Sequence, residues 1–235
     1  MTDSRRGFVP ADEKEFNKES INLLRKAQKD ILYLLEQGYP IKSASVFVGN
    51  HYMLSERQRL AVVRATTEHS ILELRHKKLL SKENLGSRVL IDGLNIIITL
   101  EVALSEGTLI RCMDECIRDL AGLRGTYRII DKTDIAIRWI GDKLKELGIE
   151  EVVFYLDAPV SNTGRLKLRL QELLSTYPYK VTVELVNNAD VILEKSCHVI
   201  TGDAIILNKC KSWYNLNAEI ISERLPEISY VDLGS

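Results

Sequence analysis

The sequence predicts an α/β protein, with a mainly parallel three-layer sheet domain behind a small all-α domain. Three observations predict it. Apolar runs ending in aspartate alternate with helical stretches from residue 88 onward. The front of the chain carries apolar residues at helical spacing with charges between them. The 235 residues, 45% hydrophobic and 28% charged, suffice for one large or two small domains with a buried core.

The elements follow in order. Residues 11–37 predict one helix, with Phe16, Leu24, Ala27, Ile31 and Leu35 on its apolar side. Gly38 and Pro40 stop it, one as a C-terminal glycine and the other as a helix-incompatible residue. Residues 41–55 read as a short helix plus loop. Ser55 offers an N-cap for a helix over about 55–80. The polar, glycine-containing stretch 81–87 serves as a linker. A helical module over 1–84 and an α/β domain over 85–235 are therefore expected. In the second part, Val89–Ile91, Val152–Leu156, 180–186, Val199-Ile200 and 218–222 read as strands. Helices are expected near 108–121, 133–147, 162–175, 189–195 and 204–211. Strands separated by helices demand a mainly parallel sheet covered on both faces.

Charge and composition exclude several classes. The first 80 residues hold 14 basic and 10 acidic residues, net +4, and the rest hold 18 and 23, net −5. A basic front beside an acidic back fits a polyanion-binding module beside a metal-binding one. No run approaches the ~20 apolar residues of a membrane span. The first 16 residues contain no apolar secretory core. Four cysteines without CxxC knuckles predict buried thiols and a reduced, cytoplasmic setting. No phosphate-loop, dinucleotide-binding or nucleophile-elbow motif occurs.

The chemistry collects at strand ends. Asp92, Asp157 and Asp203 close three of the strands, and Asp190 opens the helix after a fourth. Ligands of open α/β sheets bind beyond these ends. A single aspartate there is ordinarily a turn former or N-cap. Four on one edge repel one another unless a cation neutralises them, and hard oxygens suit Mg²⁺ or Mn²⁺. Such an ion would serve phosphodiester cleavage.

Ile91-Asp92-Gly93-Leu94-Asn95, Asn187-Asn188-Ala189-Asp190-Val191 and Thr201-Gly202-Asp203 resemble, in order and spacing, the motifs of PIN-like nucleases, especially the NYN branch. The resemblance spans about residues 88–222. It implies a PIN-like, Rossmann-like domain acting as a metal-dependent endoribonuclease. It further implies Asp92, Asp190 and Asp203 as metal ligands and Asp157 as a fourth catalytic carboxylate. Asn95 would orient Asp92 or contact substrate, and Thr201 would bond a ligand carboxylate or a water. The chain departs from the pattern where Ala204-Ile205-Ile206 follows Gly-Asp without a second acid. Glu115, Asp119 and Asp134 are alternatives for an early-helix acid. The whole arrangement also resembles an uncharacterised, mainly archaeal protein family.

Substrate contacts are expected from Arg57 and Arg64, seven apart on one helix face, with Arg59, Arg75, Lys77 and Lys78 nearby. His51 and Tyr52 offer an aromatic for base stacking. Asn162, Thr163 and Arg165 begin the helix after Asp157, where free amides can hold phosphate. Arg111, Arg118, Arg124 and Arg128 around Asp114, Glu115 and Asp119 read as a solvent-facing helical network, or, over 124–128, as cleft lining. The expected partners are RNA and a second copy of the chain, with no membrane. An inert RNA-binding or ribonucleoprotein-interaction module on the same fold is the alternative, and a small-molecule phosphohydrolase is the third.

Overall fold

The computed structural model describes residues 4–122 and 125–234. Arg124 therefore lies outside the described residues. Five helices come first: α1 (Asp12–Glu15), α2 (Lys18–Glu36), α3 (Ile41–His51), α4 (Glu56–Ala65) and α5 (His69–Lys78). The single helix expected over 11–37 is broken at Asn17, whose side chain caps α2 by accepting from the Ser20 amide. Gly38, at φ +83°, ends α2 as expected. Ser55 starts α4 through a reciprocal capping box with Gln58. The helix expected to run on to residue 80 stops at Thr66. The Thr66 hydroxyl donates to the Val62 carbonyl while its backbone turns extended, so α5 begins separately.

The second part runs β1 (Arg88–Asp92), α6 (Gly93–Leu104), β2 (Leu109–Arg111), β3 (Ile117–Asp119), α7 (Asp131–Glu146), β4 (Glu151–Asp157) and α8 (Thr163–Leu174). It continues with β5 (Lys180–Val186), α9 (Ala189–Leu193), β6 (Val199–Ile200), α10 (Ala204–Lys209), β7 (Trp213–Tyr214), α11 (Leu216–Arg224) and β8 (Val231–Asp232). The main sheet has the order β5-β4-β1-β6-β7 with every pairing parallel. β1 is central, and the chain builds outward on one side before crossing to the other. Strand alternation splits the core into two layers. Val89, Ile91, Val152 and Phe154 pack against α6, α7, α8 and α11, while Leu90, Val153, Val199 and Trp213 pack against α9 and α10. This is the expected mixed α/β, three-layer arrangement behind a helical region.

Three expectations are corrected. Residues 108–121 are not a helix but the antiparallel hairpin β2–β3, with Arg111 opposite Ile117. The helix of this region is α6, whose apolar sequence GLNIIITLEVAL is buried nearly all round and so shows no amphipathic stripe. Residues 218–222 lie in α11 rather than a last strand, because a short apolar run fits either state. Cys112, Cys116 and Cys210 are buried, but Cys197 is exposed. Among the described residues no helix is long and apolar enough to cross a membrane.

The front helices do not keep a core to themselves. Leu24, Ile31, Val48 and Val62 share one apolar cluster with Ile110, Leu120, Val231 and Leu233. Gln28 also donates to the Leu233 carbonyl at 2.8 Å. Leu233 is fully buried, so Leu233→Ala should cost about 2–5 kcal/mol. In urea, fluorescence of Trp139 and Trp213 and far-ultraviolet dichroism of the helices should report one coincident transition, shifted as a whole by this substitution. Two separate transitions would show that the front helices unfold independently.

Candidate functional site

The strand order reverses between β1 and β6, the position at which an open parallel sheet leaves a crevice at its carboxyl edge. A cleft of about 470 Å³ lies there, between that edge, α4 and the β2–β3 hairpin. Asp92, Asp157, Asp190 and Asp203 all line it, with Asn95, Arg64, Arg118 and Asp119. Of the three alternatives for a further acid, Asp119 is the one at the cleft. Glu115 faces a different depression, and Asp134 is paired with Arg169.

Local geometry sets each side chain. Asp92 ends β1, and α6 starts at once with Gly93. A Cβ at Gly93 would stand 2.6 Å from Leu156 Cδ2 and 3.2 Å from the Tyr155 carbonyl, so only glycine lets the helix begin against β4. This turn brings Asn95 over the β6 loop, where its Oδ1 accepts from the Gly202 amide at 2.8 Å. Asn95 thus holds the loop through its side chain, while its backbone amide favours the ionised form of Asp92. Thr201 donates to Asp92 Oδ2 at 2.8 Å. Asp203 caps α10 with Oδ1, which accepts from the Ile205 and Ile206 amides at 2.7 and 3.1 Å. Asp157 Oδ1 accepts from the Ala189 amide at 2.8 Å, which places Asp190 one residue further on. Thr99 donates to Asp119 Oδ2 at 2.8 Å.

These carboxylates feel one another. Burial raises the Asp92 pKa to about 7, aided by the charges of Asp203 and Asp190 and opposed by the Thr201 hydrogen bond. Asp190 is raised by burial, then by Asp203 and Asp157. Asp119 is raised by burial, against Thr99 and Arg64. Among the described residues, no group of three or more His, Cys, Asp or Glu side chains is arranged to hold a metal ion as it stands. The donor set is nonetheless all hard oxygen, and Mg²⁺ commonly takes only one or two protein carboxylates with waters and a substrate phosphate. A loosely held ion of that kind fits the residues present; a full protein cage does not.

A buried cluster holds the loop behind Asp203. Asp114, fully buried in the hairpin turn, accepts from Arg118 at 2.6 and 2.9 Å and from Arg75 of α5. Arg118 Nε then donates to the Gly202 carbonyl at 2.7 Å, and Arg75 donates to the Ala204 carbonyl at 3.3 Å. Both backbone neighbours of Asp203 are gripped. Burial opposes ionisation of Asp114, but Arg118 and Arg75 outweigh it and hold its carboxyl below the ordinary range. The sequence reading of this segment as a solvent-facing helical network is thereby corrected. The short apolar pairs Leu109-Ile110 and Cys116-Ile117 on either side of the polar Asp114-Glu115 are the available hairpin signal.

The expected substrate residues scatter. Arg64 reaches the cleft and donates to the Asp119 carbonyl. Arg57 lies away from it, bonded to Asp12 at 2.5 and 2.6 Å and to the Leu120 and Gly7 carbonyls. Arg59 donates to Leu54 and Lys78 to Leu207 and Asn208, and the Tyr52 hydroxyl donates to Asp30. Thr163 is buried and donates to the Val160 carbonyl, and Asn162 donates to the Tyr127 carbonyl. Arg165 faces a separate cavity that also includes Asn162.

Two outcomes follow. Asp92 is protonated in the fold up to about pH 7 but only up to about pH 4 when unfolded. The native state therefore holds the extra proton between these values, and stability falls as pH rises through that window. In a chelator, Asp92→Asn should flatten this decline and stabilise the protein at pH 8 by roughly 3–4 kcal/mol, read from urea midpoints at pH 5 and 8. Asp114→Asn, which leaves two guanidiniums buried with one carboxylate fewer, should cost about 3–5 kcal/mol in the same assay.

A family described as a domain of unknown function, DUF5616, matches residues 81–219, and one described as a protein of unknown function, DUF434, matches residues 23–78. An uncharacterised protein of Methanocaldococcus jannaschii, MJ0935, is 34% identical over 185 residues, which is 78% of this chain and 88% of the relative. No solved structure matches the chain. The first of these matches covers more than half of the chain and includes every carboxylate of the cleft, so the chain belongs to the DUF5616 family.

Proposed function

We propose that the protein is a metal-dependent endoribonuclease of PIN/NYN-like type that cleaves RNA phosphodiester bonds in the acidic cleft. One observation carries the reading. Carboxylates from β1, β3, β4, α9 and the β6–α10 junction converge on one cleft, and burial, aided by the charges of Asp203 and Asp190, lifts Asp92 to about 7. An arrangement that costs stability when empty of cations is the signature of a site built for one. The motif order described above supports the same reading.

Asp92, Asp190 and Asp203 are the residues to hold Mg²⁺ or Mn²⁺. Bound there, the ion supplies water activation and neutralises charge developing on the phosphate. The chain's own groups do the rest. Thr201 fixes one oxygen of Asp92, and Asn95 fixes the Gly202 amide. Asp203 and Asp157 each use one oxygen on a helix amide, which leaves the other for the cleft. Arg64, on the opposite wall, offers a guanidinium to the phosphodiester.

A second reading rests on a different observation. Because no three ligands are preassembled, the same cleft also suits an inert RNA-binding or ribonucleoprotein-interaction module. One assay separates the two: a mixed pool of structured and single-stranded RNAs incubated with Mn²⁺, Mg²⁺ or EDTA. Cleavage should require the divalent ion and disappear in Asp92→Asn and Asp203→Asn, each checked for folding by its melting curve. Salt-sensitive binding without cleavage would move the assignment to the inert module. Turnover of a small phosphate ester without RNA affinity would move it to a phosphohydrolase.

A further inference from the structure

Beyond the acidic cleft, and sharing no lining residue with it, lies a cavity of about 550 Å³ lined by Arg128, Ile129, Asn162, Arg165, Leu168, Arg169 and Glu172. Its charges are not equivalent. Arg169 is paired with Asp134 and with Glu172, the one acid among the described residues that faces the cavity. The guanidiniums of Arg128 and Arg165 have no ion pair or hydrogen bond among the described residues, and both residues are exposed. The first turn of α8, which forms one wall, contains no acidic residue. With Asp134 counted, the cavity's charges sum to +1, and Arg128 and Arg165 are the guanidiniums there that carry no partner among the described residues.

The wall carrying Arg128 is held rigidly, and by an expensive device. Glu101 is fully buried in the apolar helix α6. Burial raises its pKa, against the pull of Arg6, Thr133 and Tyr127. It accepts from the Tyr127 hydroxyl at 2.6 Å and from Thr133, and it pairs with Arg6 at 2.5 Å. Arg6 also donates to the Arg128 carbonyl and lies over the Tyr127 ring. On the other side, the Tyr127 amide donates to Ser161 at 3.1 Å, the Ser161 amide to Gly125 at 3.0 Å, and Asn162 to the Tyr127 carbonyl at 2.8 Å. The segment before Arg128 is thus tied to the loop that leaves β4 just after Asp157. A buried carboxylate, a buried tyrosine and an N-terminal arginine all fix one short stretch whose outward product is Arg128.

We infer that this cavity is a second phosphate-binding site, in which Arg128 and Arg165 hold the backbone of an RNA strand whose other part lies in the acidic cleft. The inference rests on the proposed RNA-cleaving role of that cleft and adds to it. A strand tracked from an anion-repelling cleft needs cations beyond the carboxylates, and the loop after Asp157 leads directly from one site to the other.

The test is equilibrium binding of a fluorescein-labelled single-stranded oligoribonucleotide to the full chain, read by anisotropy across a salt series. EDTA is present throughout, so no cleavage chemistry intervenes. Arg128→Ala/Arg165→Ala should weaken binding roughly tenfold or more at low salt and make the salt slope shallower by about 1.4, for two phosphates at about 0.7 each. Arg128→Lys/Arg165→Lys should recover most of the affinity, since the charges return. Unchanged affinity and slope in the alanine double variant would overturn the inference. So would inorganic phosphate binding that depends on the two arginines in a protein with no RNA affinity, which would assign the cavity to a small anion. Failure of the cleft's nuclease role shows instead in the Mn²⁺ cleavage assay with the aspartate variants, and is a separate result.

Discussion

The Asp114 carboxylate is the interaction on which the site most depends. It joins three parts of the chain that are distant in sequence: α5 through Arg75, the β2–β3 hairpin through Arg118, and the β6–α10 loop through the carbonyls those arginines reach. Buried ion pairs are weak evidence for stability, because desolvation offsets most of the Coulomb gain. What they supply is registry. Here two planar guanidiniums with fixed donor geometry grip the residues on either side of Asp203. The sheet alone could not do this, since β6 is only two residues long and ends before the loop. One carboxylate against two guanidiniums also leaves this cluster with a net positive charge.

The same economy of oxygen atoms recurs at the cleft. An aspartate at a strand end is ordinarily a cap, and Asp203 is one. Asp157 likewise spends an oxygen on the Ala189 amide. Capping and ligand binding are not exclusive, because a carboxylate has two oxygens and each site uses one for local structure. The anchored oxygen removes rotational freedom from the other. Asp92 differs in being buried, and its pKa near 7 records how poorly a single threonine and a backbone amide compensate for lost water beside two other acids.

How much of this was legible in the sequence depended on how local the physics is. The strand-end aspartates were readable because β1, β4 and β6 are short apolar runs closed by a polar residue, and a parallel sheet brings such ends to one edge. The α2 and α4 boundaries were readable in part, because glycine and serine act within one turn. Helix α6 was hidden by burial on all sides, which erases the period that identifies a helix. The hairpin was hidden because Arg118 and Asp119 look solvent-facing in any local window, whereas tertiary partners bury both. Asp119 stood as one of three alternatives, and no local signal could select it, since its place in the cleft follows from the hairpin. The arginines of the front helices misled for the same reason: Arg57 and Arg75 are charged, but their partners lie some 40 residues away or more.

Those partners change what the front helices are for. Arg57, Arg59, Arg75 and Lys78 are committed to internal carbonyls and carboxylates, so the basic count of the front region overstates the charge it offers to a polyanion. Arg64 is the front-helix guanidinium that lines the cleft, and the shared apolar cluster makes α4 a structural wall of it. Guanidiniums without a partner among the described residues lie instead in the nominally acidic half, Arg128 and Arg165 among them. Net charge by segment is therefore a poor guide to where phosphate contacts fall; what counts is charge left over after internal pairing. On that measure the free cations lie on the 125–130 segment and α8, while Arg64 of α4, on the cleft's other side, is already engaged by Asp119. A polyanion meeting this edge would be attracted to the free cations and repelled by the carboxylates unless cations fill the cleft. Under the proposed RNA-binding role, a strand's phosphates would then sit beside the free guanidiniums, and a phosphate would enter the carboxylate-lined centre only together with a cation.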